Sequence, residues 1–139
     1  MLKVTVIIIL LVIAMICYIS NSILLFRFDM SIFSKFNYKF WNPKISWLNK
    51  YKYDSAGKRI PKFFLSTTVL VFLTDAYHLL QFIYLSCIQL SVAILLNNYI
   101  VVIDNKIINC IFIFIGIKST FSIVFEKMFS KLLIRKTKV

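Results

Sequence analysis

Glycine, proline, histidine and acidic side chains are all scarce in this 139-residue chain, which holds two, two, one and five of them. With so few glycines and prolines there is little to break the chain into many short elements. That favours one small helical unit rather than several domains. The glycines also fall short of any dinucleotide fingerprint, phosphate-binding loop or nucleophile elbow, and no metal-ligand set occurs at a known spacing. No cofactor and no bound metal are therefore expected, and the chain reads as non-enzymatic. Cysteine is scarce and odd in number. Cys17, Cys87 and Cys110 each lie in an apolar segment, so they read as buried free thiols rather than a disulfide framework. No Asn-x-Ser/Thr sequon is present, and glycosylation is uninformative.

What the chain has instead is apolar length. Hydrophobic residues make up 60%, with a mean hydropathy of +0.86. Val4 to Phe26 carries no charge over 23 residues, and the 41 residues between Lys62 and Asp104 carry only Asp75. About 20 apolar residues suffice to cross roughly 30 Å of hydrocarbon, so a bilayer accounts for these runs better than a soluble core does. The expected fold is all-α and integral to the membrane, one domain over residues 1–139. Its spans are near 4–26, 76–96 and 107–125, the last interrupted by Lys118.

Charge placement orients these spans. Nine cations occupy the connection 27–62: Arg27, Lys35, Lys39, Lys44, Lys50, Lys52, Lys58, Arg59 and Lys62, against Asp29 and Asp54. Five more, Lys127, Lys131, Arg135, Lys136 and Lys138, close the chain, whereas the Asn97 to Lys106 connection has one. Loops rich in Lys and Arg stay inside, which puts the N-terminus out, the long loop in, the short loop out and the C-terminus in, as in a bacterial cytoplasmic membrane. Two alternatives are weaker. Splitting 63–96 into two spans lacks a Gly or Pro for the turn and would export the basic tail. A cleaved secretory signal, suggested by Lys3, the apolar run and Ser20-Asn21-Ser22, would export the nine-cation loop, and the run exceeds the usual 7 to 15 residues.

The segment Phe63 to Leu96 is longer than one span needs: 34 residues would make a helix of about 51 Å. Residues 63–75 are accordingly expected as an interfacial helix on the inner side, beginning after Pro61. If the helix is continuous, Thr68, Asp75, His78, Ser86 and Gln89 fall within an arc of about 80°. A polar stripe of this kind belongs against another helix, where hydrogen bonds contribute about 0.6 to 2 kcal/mol. The alternative is the lining of a pore or proton path formed on oligomerisation.

Asp75 and His78 are three residues apart on one helical face, so they can share a hydrogen bond. Two ligands do not make a zinc site, which takes three or more protein groups; a metal would need Asn21, a second copy or water. The favoured partner for Asp75 is Lys118 on the third span, through a snorkelling ammonium. A membrane enzyme using Asp75 and His78 as an acid-base pair is the least favoured reading, because no third group is in view.

Between its cations the 27–62 loop carries Phe36, Tyr38, Phe40, Trp41, Trp47, Tyr51 and Tyr53. Aromatic rings at headgroup depth with Lys on anionic phosphates describe an interfacial segment. A nucleic-acid stacking surface would want the same residues but gains nothing from flanking spans, and no nucleic-acid partner is expected. Asn42-Pro43 and Asp54-Ser55-Ala56-Gly57 supply turns.

Two blocks, Phe40-Trp41-Asn42-Pro43-Lys44-Ile45-Ser46-Trp47-Leu48-Asn49-Lys50-Tyr51-Lys52 and Ser66-Thr67-Thr68-Val69-Leu70-Val71-Phe72-Leu73-Thr74-Asp75-Ala76-Tyr77-His78, cover about a third of the chain. In them the chain resembles a group of small uncharacterised bacterial membrane proteins. The resemblance implies that the blocks form one unit, with Asn42, Ser46, Trp47, Asn49 and Lys50 approaching Ser66 to His78 around a shallow polar pocket. The function expected is that of an interaction or assembly subunit. Its partners are the anionic headgroups of the bilayer and a second copy or another membrane protein; the alternative is an oligomeric channel lined by the polar stripe.

Overall fold

The structure, a computed structural model, describes residues 2–128. The basic tail residues Lys131, Arg135, Lys136 and Lys138 lie outside the described residues. The chain is mostly helical. Helix α1 runs Leu2–Arg27, and two single-turn helices follow in the loop, α2 Tyr38–Trp41 and α3 Pro43–Ser46. Two longer helices complete the set, α4 Ala76–Leu96 and α5 Lys106–Lys127. Three helices are long and apolar enough to cross a membrane, with candidate spans at Lys3–Met30, Ala76–Leu96 and Lys106–Lys127. At 1.5 Å per residue α4 is about 31 Å long, the thickness of the hydrocarbon core.

The chain divides into two compact units, one made of the residues up to Leu10 with those from Ile88 onward, the other Leu11–Cys87. In the second, the loop after α1 folds into short pieces for local reasons. Asn37 and Asn42 cap α2 and α3, their side-chain oxygens accepting the N–H groups of Lys39 and Lys44, and Pro43 takes the first turn of α3, where its missing N–H costs nothing. Leu24, Phe28 and Ala76 form the buried centre, against which Phe33, Phe40, Trp41 and Leu80 pack. The rings of Phe33 and Trp41 stack with centroids 5.0 Å apart. The end of α1 and the start of α4 thus share one aromatic core with the loop.

Two features depart from the expected all-α pattern. The first is a two-stranded antiparallel hairpin, β1 Tyr51–Tyr53 with β2 Arg59–Pro61, in the register Tyr51↔Pro61, Lys52↔Ile60 and Tyr53↔Arg59. Its turn is made by Asp54, whose Oδ1 accepts the N–H groups of Ala56 and Lys58, and by Gly57 at φ +75°, a conformation glycine adopts without steric cost. The second is residues 63–75, which are not the expected interfacial helix. They form a series of turns ending in the 3₁₀ turn Val71–Leu73. Side chains compete here with the helical ladder: Ser66 Oγ accepts from the N–H of Lys62 and donates to the carbonyl of Lys50, at 3.1 and 2.8 Å. Leu65 sits at φ +57°, a left-handed conformation that ends any helix, and the β-branched run around Val69 adds little helical propensity.

The unit containing α5 is organised by asparagines. Asn105 caps the helix, accepting from Ile107 and Ile108 N–H. Asn109, 2% exposed, donates to Asn97 Oδ1 and to the Ile100 carbonyl, both at 2.7 Å, and accepts from the N–H groups of Val102 and Ile103. All four of its hydrogen-bonding positions are filled, and they tie the 97–105 connection to the helix.

Candidate functional site

The site is built at the head of α4. Asp75 caps that helix: its Oδ1 accepts the His78 N–H at 2.9 Å, three residues on, as a helix-capping carboxylate does. The same geometry swings the His78 ring back over the cap, placing Nδ1 2.8 Å from Oδ1 and 2.7 Å from Oδ2. Thr74 Oγ1 lies 3.1 Å from Oδ2 and 2.6 Å from the Val71 carbonyl, so its one proton has two acceptors. Asp75 is 1% exposed. Burial works to raise its pKa. Hydrogen bonds from the His78 side chain and backbone, the charge of the imidazole and the Thr74 hydroxyl outweigh it, and the carboxyl is held below the usual carboxylate range. An ionised carboxylate only accepts, so Nδ1 carries the proton of this bond, and Nε2 is the ring nitrogen not engaged by Asp75. The side chain of His78 is 28% exposed.

The loop block packs onto this head. Asn49 Nδ2 donates to the carbonyls of Lys39, at 2.7 Å, and Thr74, at 3.0 Å, linking the loop to the residue before Asp75. Ser66 makes the second link, through the Lys50 carbonyl. Asn42 and Ser46 are buried inside the loop fold, at 1% and 2% exposure. Trp47 donates from its indole to the Lys44 carbonyl and carries the Arg59 guanidinium over its ring, and the Lys50 ammonium lies over Tyr51. Both sequence blocks therefore lie in the Leu11–Cys87 unit. A cavity of about 280 Å³ opens beside the Asn49 link, lined by the polar residues Asn37, Lys39, Lys62 and Thr74 together with the apolar Phe63 and Leu73.

The polar stripe is not preserved as one helical face. Thr68 lies in the turns before α4, where its hydroxyl is 3.5 Å from the Leu65 carbonyl, because the helix starts only at Ala76. His78, Ser86 and Gln89 are on α4, with Ser86 partly buried and Gln89 buried. Gln89 Oε1 and Asn21 Oδ1 are buried acceptors with no hydrogen-bond partner among the described residues. Lys118 is on α5, in the other unit from Asp75, with its ammonium over the Phe114 ring at 5.5 Å. Among the described residues no three His, Cys, Asp or Glu side chains gather as a metal set.

Sequence reasoning overlooked Asn109 and Asn105, and took Asn97 only as the polar end of the second span. The signal for Asn109 was present, as an amide within the apolar opening of α5. It also passed over Asn37, which shares the cavity lining with Lys39 and Lys62 only through the loop's path. No family model, curated protein or solved structure matches the chain.

Proposed function

We propose that this is a non-enzymatic integral membrane protein of three spans, N-terminus out and C-terminus in, acting as an interaction or assembly subunit. In this reading its 27–75 segment rests on anionic headgroups at the inner face of a bacterial cytoplasmic membrane. One observation carries the reading: the surface of the Leu11–Cys87 unit combines cations with exposed apolar side chains. Phe64 is 82%, Val69 67% and Leu73 55% exposed, beside exposed Lys39, Lys52, Lys58 and Lys62. In water such side chains would be a liability; at headgroup depth the rings and aliphatic groups dip while the ammonium groups meet phosphates. The loop's two carboxylates, Asp29 paired with Lys44 at 3.2 Å and Asp54 in the hairpin turn, offset only two of its nine cations. Protein partners, a second copy or another membrane protein, would meet the remaining faces.

Both tryptophans of the chain, Trp41 and Trp47, lie in this loop, so their fluorescence reports on it alone. With the full chain in nanodiscs, quenching by lipids spin-labelled near the headgroup should rise with the phosphatidylglycerol fraction. It should fall again in high salt, which screens surface charge. Quenching that is indifferent to anionic lipid would overturn the reading.

A further inference from the structure

We propose that the cavity beside Asn49 is a discrete site for the phosphate of a membrane lipid; this rests on the lipid-anchored reading above and sharpens it from a charged surface to one pocket. Its mixed lining calls for two chemistries. The polar lining includes Lys39 and Lys62, whose ammonium groups have no hydrogen-bond or ion-pair partner among the described residues, although five other cations of the chain, Lys3, Lys44, Lys50, Arg59 and Lys118, have a partner or an aromatic ring. Asn37 uses its side-chain oxygen to cap the Lys39 N–H, which leaves its amide protons for a ligand. Asn49 is a wall rather than a donor to ligand, since both its amide protons are committed to the Lys39 and Thr74 carbonyls. No carboxylate lines the cavity, so nothing in it opposes an anion.

The apolar lining residues Phe63 and Leu73 are 39% and 55% exposed, and Phe64, next in the chain to Phe63, is 82% exposed. A free phosphate would leave them unused. A phospholipid would place its phosphate between Lys39 and Lys62 and its glycerol and upper acyl carbons along Phe63 and Leu73. Two ammonium groups match a phosphomonoester, which carries about −1.5 to −2 at neutral pH, better than a singly charged diester. Phosphatidic acid should therefore bind more tightly than phosphatidylglycerol, and phosphatidylcholine least.

The test is native mass spectrometry of the full-length protein in detergent, titrated with these three lipids carrying identical chains. The wild type should hold one phosphatidic acid in preference to the other two. The double variant Lys39→Gln/Lys62→Gln should weaken that adduct at least about tenfold, whereas Lys52→Gln/Lys58→Gln, which removes the same charge from the hairpin, should change it by less than about threefold. Lys39→Arg/Lys62→Arg should retain the adduct and shows that a loss reflects charge at the site rather than misfolding. Equal weakening in both Gln pairs would overturn the pocket while leaving the tryptophan quenching, and with it the broader reading, intact. Displacement of the lipid by millimolar inorganic phosphate as readily as by a short-chain phosphatidic acid would overturn the lipid as the source of the phosphate.

Discussion

Both carboxylate oxygens of Asp75 lie within 2.8 Å of His78 Nδ1, on a side chain that is itself 1% exposed. The contact does two jobs: it gives a buried carboxylate a hydrogen-bond donor at the positive end of α4, and it fixes which ring nitrogen is left to the surroundings. A buried carboxylate so held has a definite pH signature. Its folded pKa lies below the unfolded value, so its stabilisation is complete above the ordinary aspartate value of about 3.9 and disappears as pH falls through the lower folded value. Asp75→Asn should cost about 1 to 3 kcal/mol at neutral pH and flatten the loss of stability below about pH 4. Thermal unfolding in detergent from pH 3 to 7 measures both, and an unchanged acid limb would show that Asp75 does not set it.

Asn49 is the second lock on this head, and its chemistry separates amide from carboxylate. Its Nδ2 serves two carbonyls, Lys39 and Thr74. Asn49→Ala leaves both carbonyls to find water and should cost about 1 to 3 kcal/mol. Asn49→Asp should cost more, because it sets a carboxylate against two carbonyl oxygens with no proton between them. The order Asp below Ala in melting temperature checks the direction of these bonds. A milder effect of Asp would mean that the Asn49 amide is turned the other way.

The parts of this architecture legible in the sequence are those governed by composition and length. Uncharged runs located the three apolar helices, and the limit of α4 at Ala76 and Leu96 follows from Asp75 and Asn97-Asn98, polar groups at either end of about 20 apolar residues. The Asp75–His78 bond follows from a spacing of three. Residues 63–75 were misread because apolar content was taken as helix, whereas Ser66, Thr68 and Leu65 at φ +57° settle the matter through side-chain and backbone bonds that hydropathy does not register. The hairpin was hidden for a related reason. Its strands are three residues each, too short for alternation to stand out, and only the Asp54–Gly57 turn announced it. The Lys39–Lys62 cavity joins residues 23 apart in sequence, and no local pattern encodes such a meeting.

Asn109 should be the most sensitive polar residue of α5. Replacing it by Leu keeps the volume and suits an apolar helix by composition, yet it strips partners from the Val102 and Ile103 N–H groups, the Ile100 carbonyl and Asn97. At about 1 to 3 kcal/mol for each group left unsatisfied, partly relieved where water reaches the connection, a loss of roughly 2 to 4 kcal/mol is expected. Hydrogen exchange at Val102 and Ile103 should rise with it. A melting temperature equal to wild type would show that the 97–105 connection does not depend on this amide.

The orientation rests on the contrast between nine cations in residues 27–62 and a single lysine in the Asn97 to Lys106 connection. Lys58, in the hairpin turn, and Asp104, beside the cap of α5, are both exposed and suit single-cysteine labelling once Cys17, Cys87 and Cys110 are replaced by serine. With a thiol reagent that does not cross membranes, Asp104→Cys should label in intact cells and Lys58→Cys only after permeabilisation. Lys138→Cys, in the tail beyond the described residues, should behave like Lys58→Cys if the spans number three; if residues 63–96 cross twice, Asp104→Cys should be protected together with Lys58→Cys, and Lys138→Cys should label in intact cells. The inverse pattern at Lys58 and Asp104 would reverse the orientation, and the cationic loop would then have to meet the outer leaflet, removing the inner-face headgroups from the account of its charge. Labelling of both in intact cells would mean that residues 63–96 do not make a single crossing, and would overturn the three-span topology.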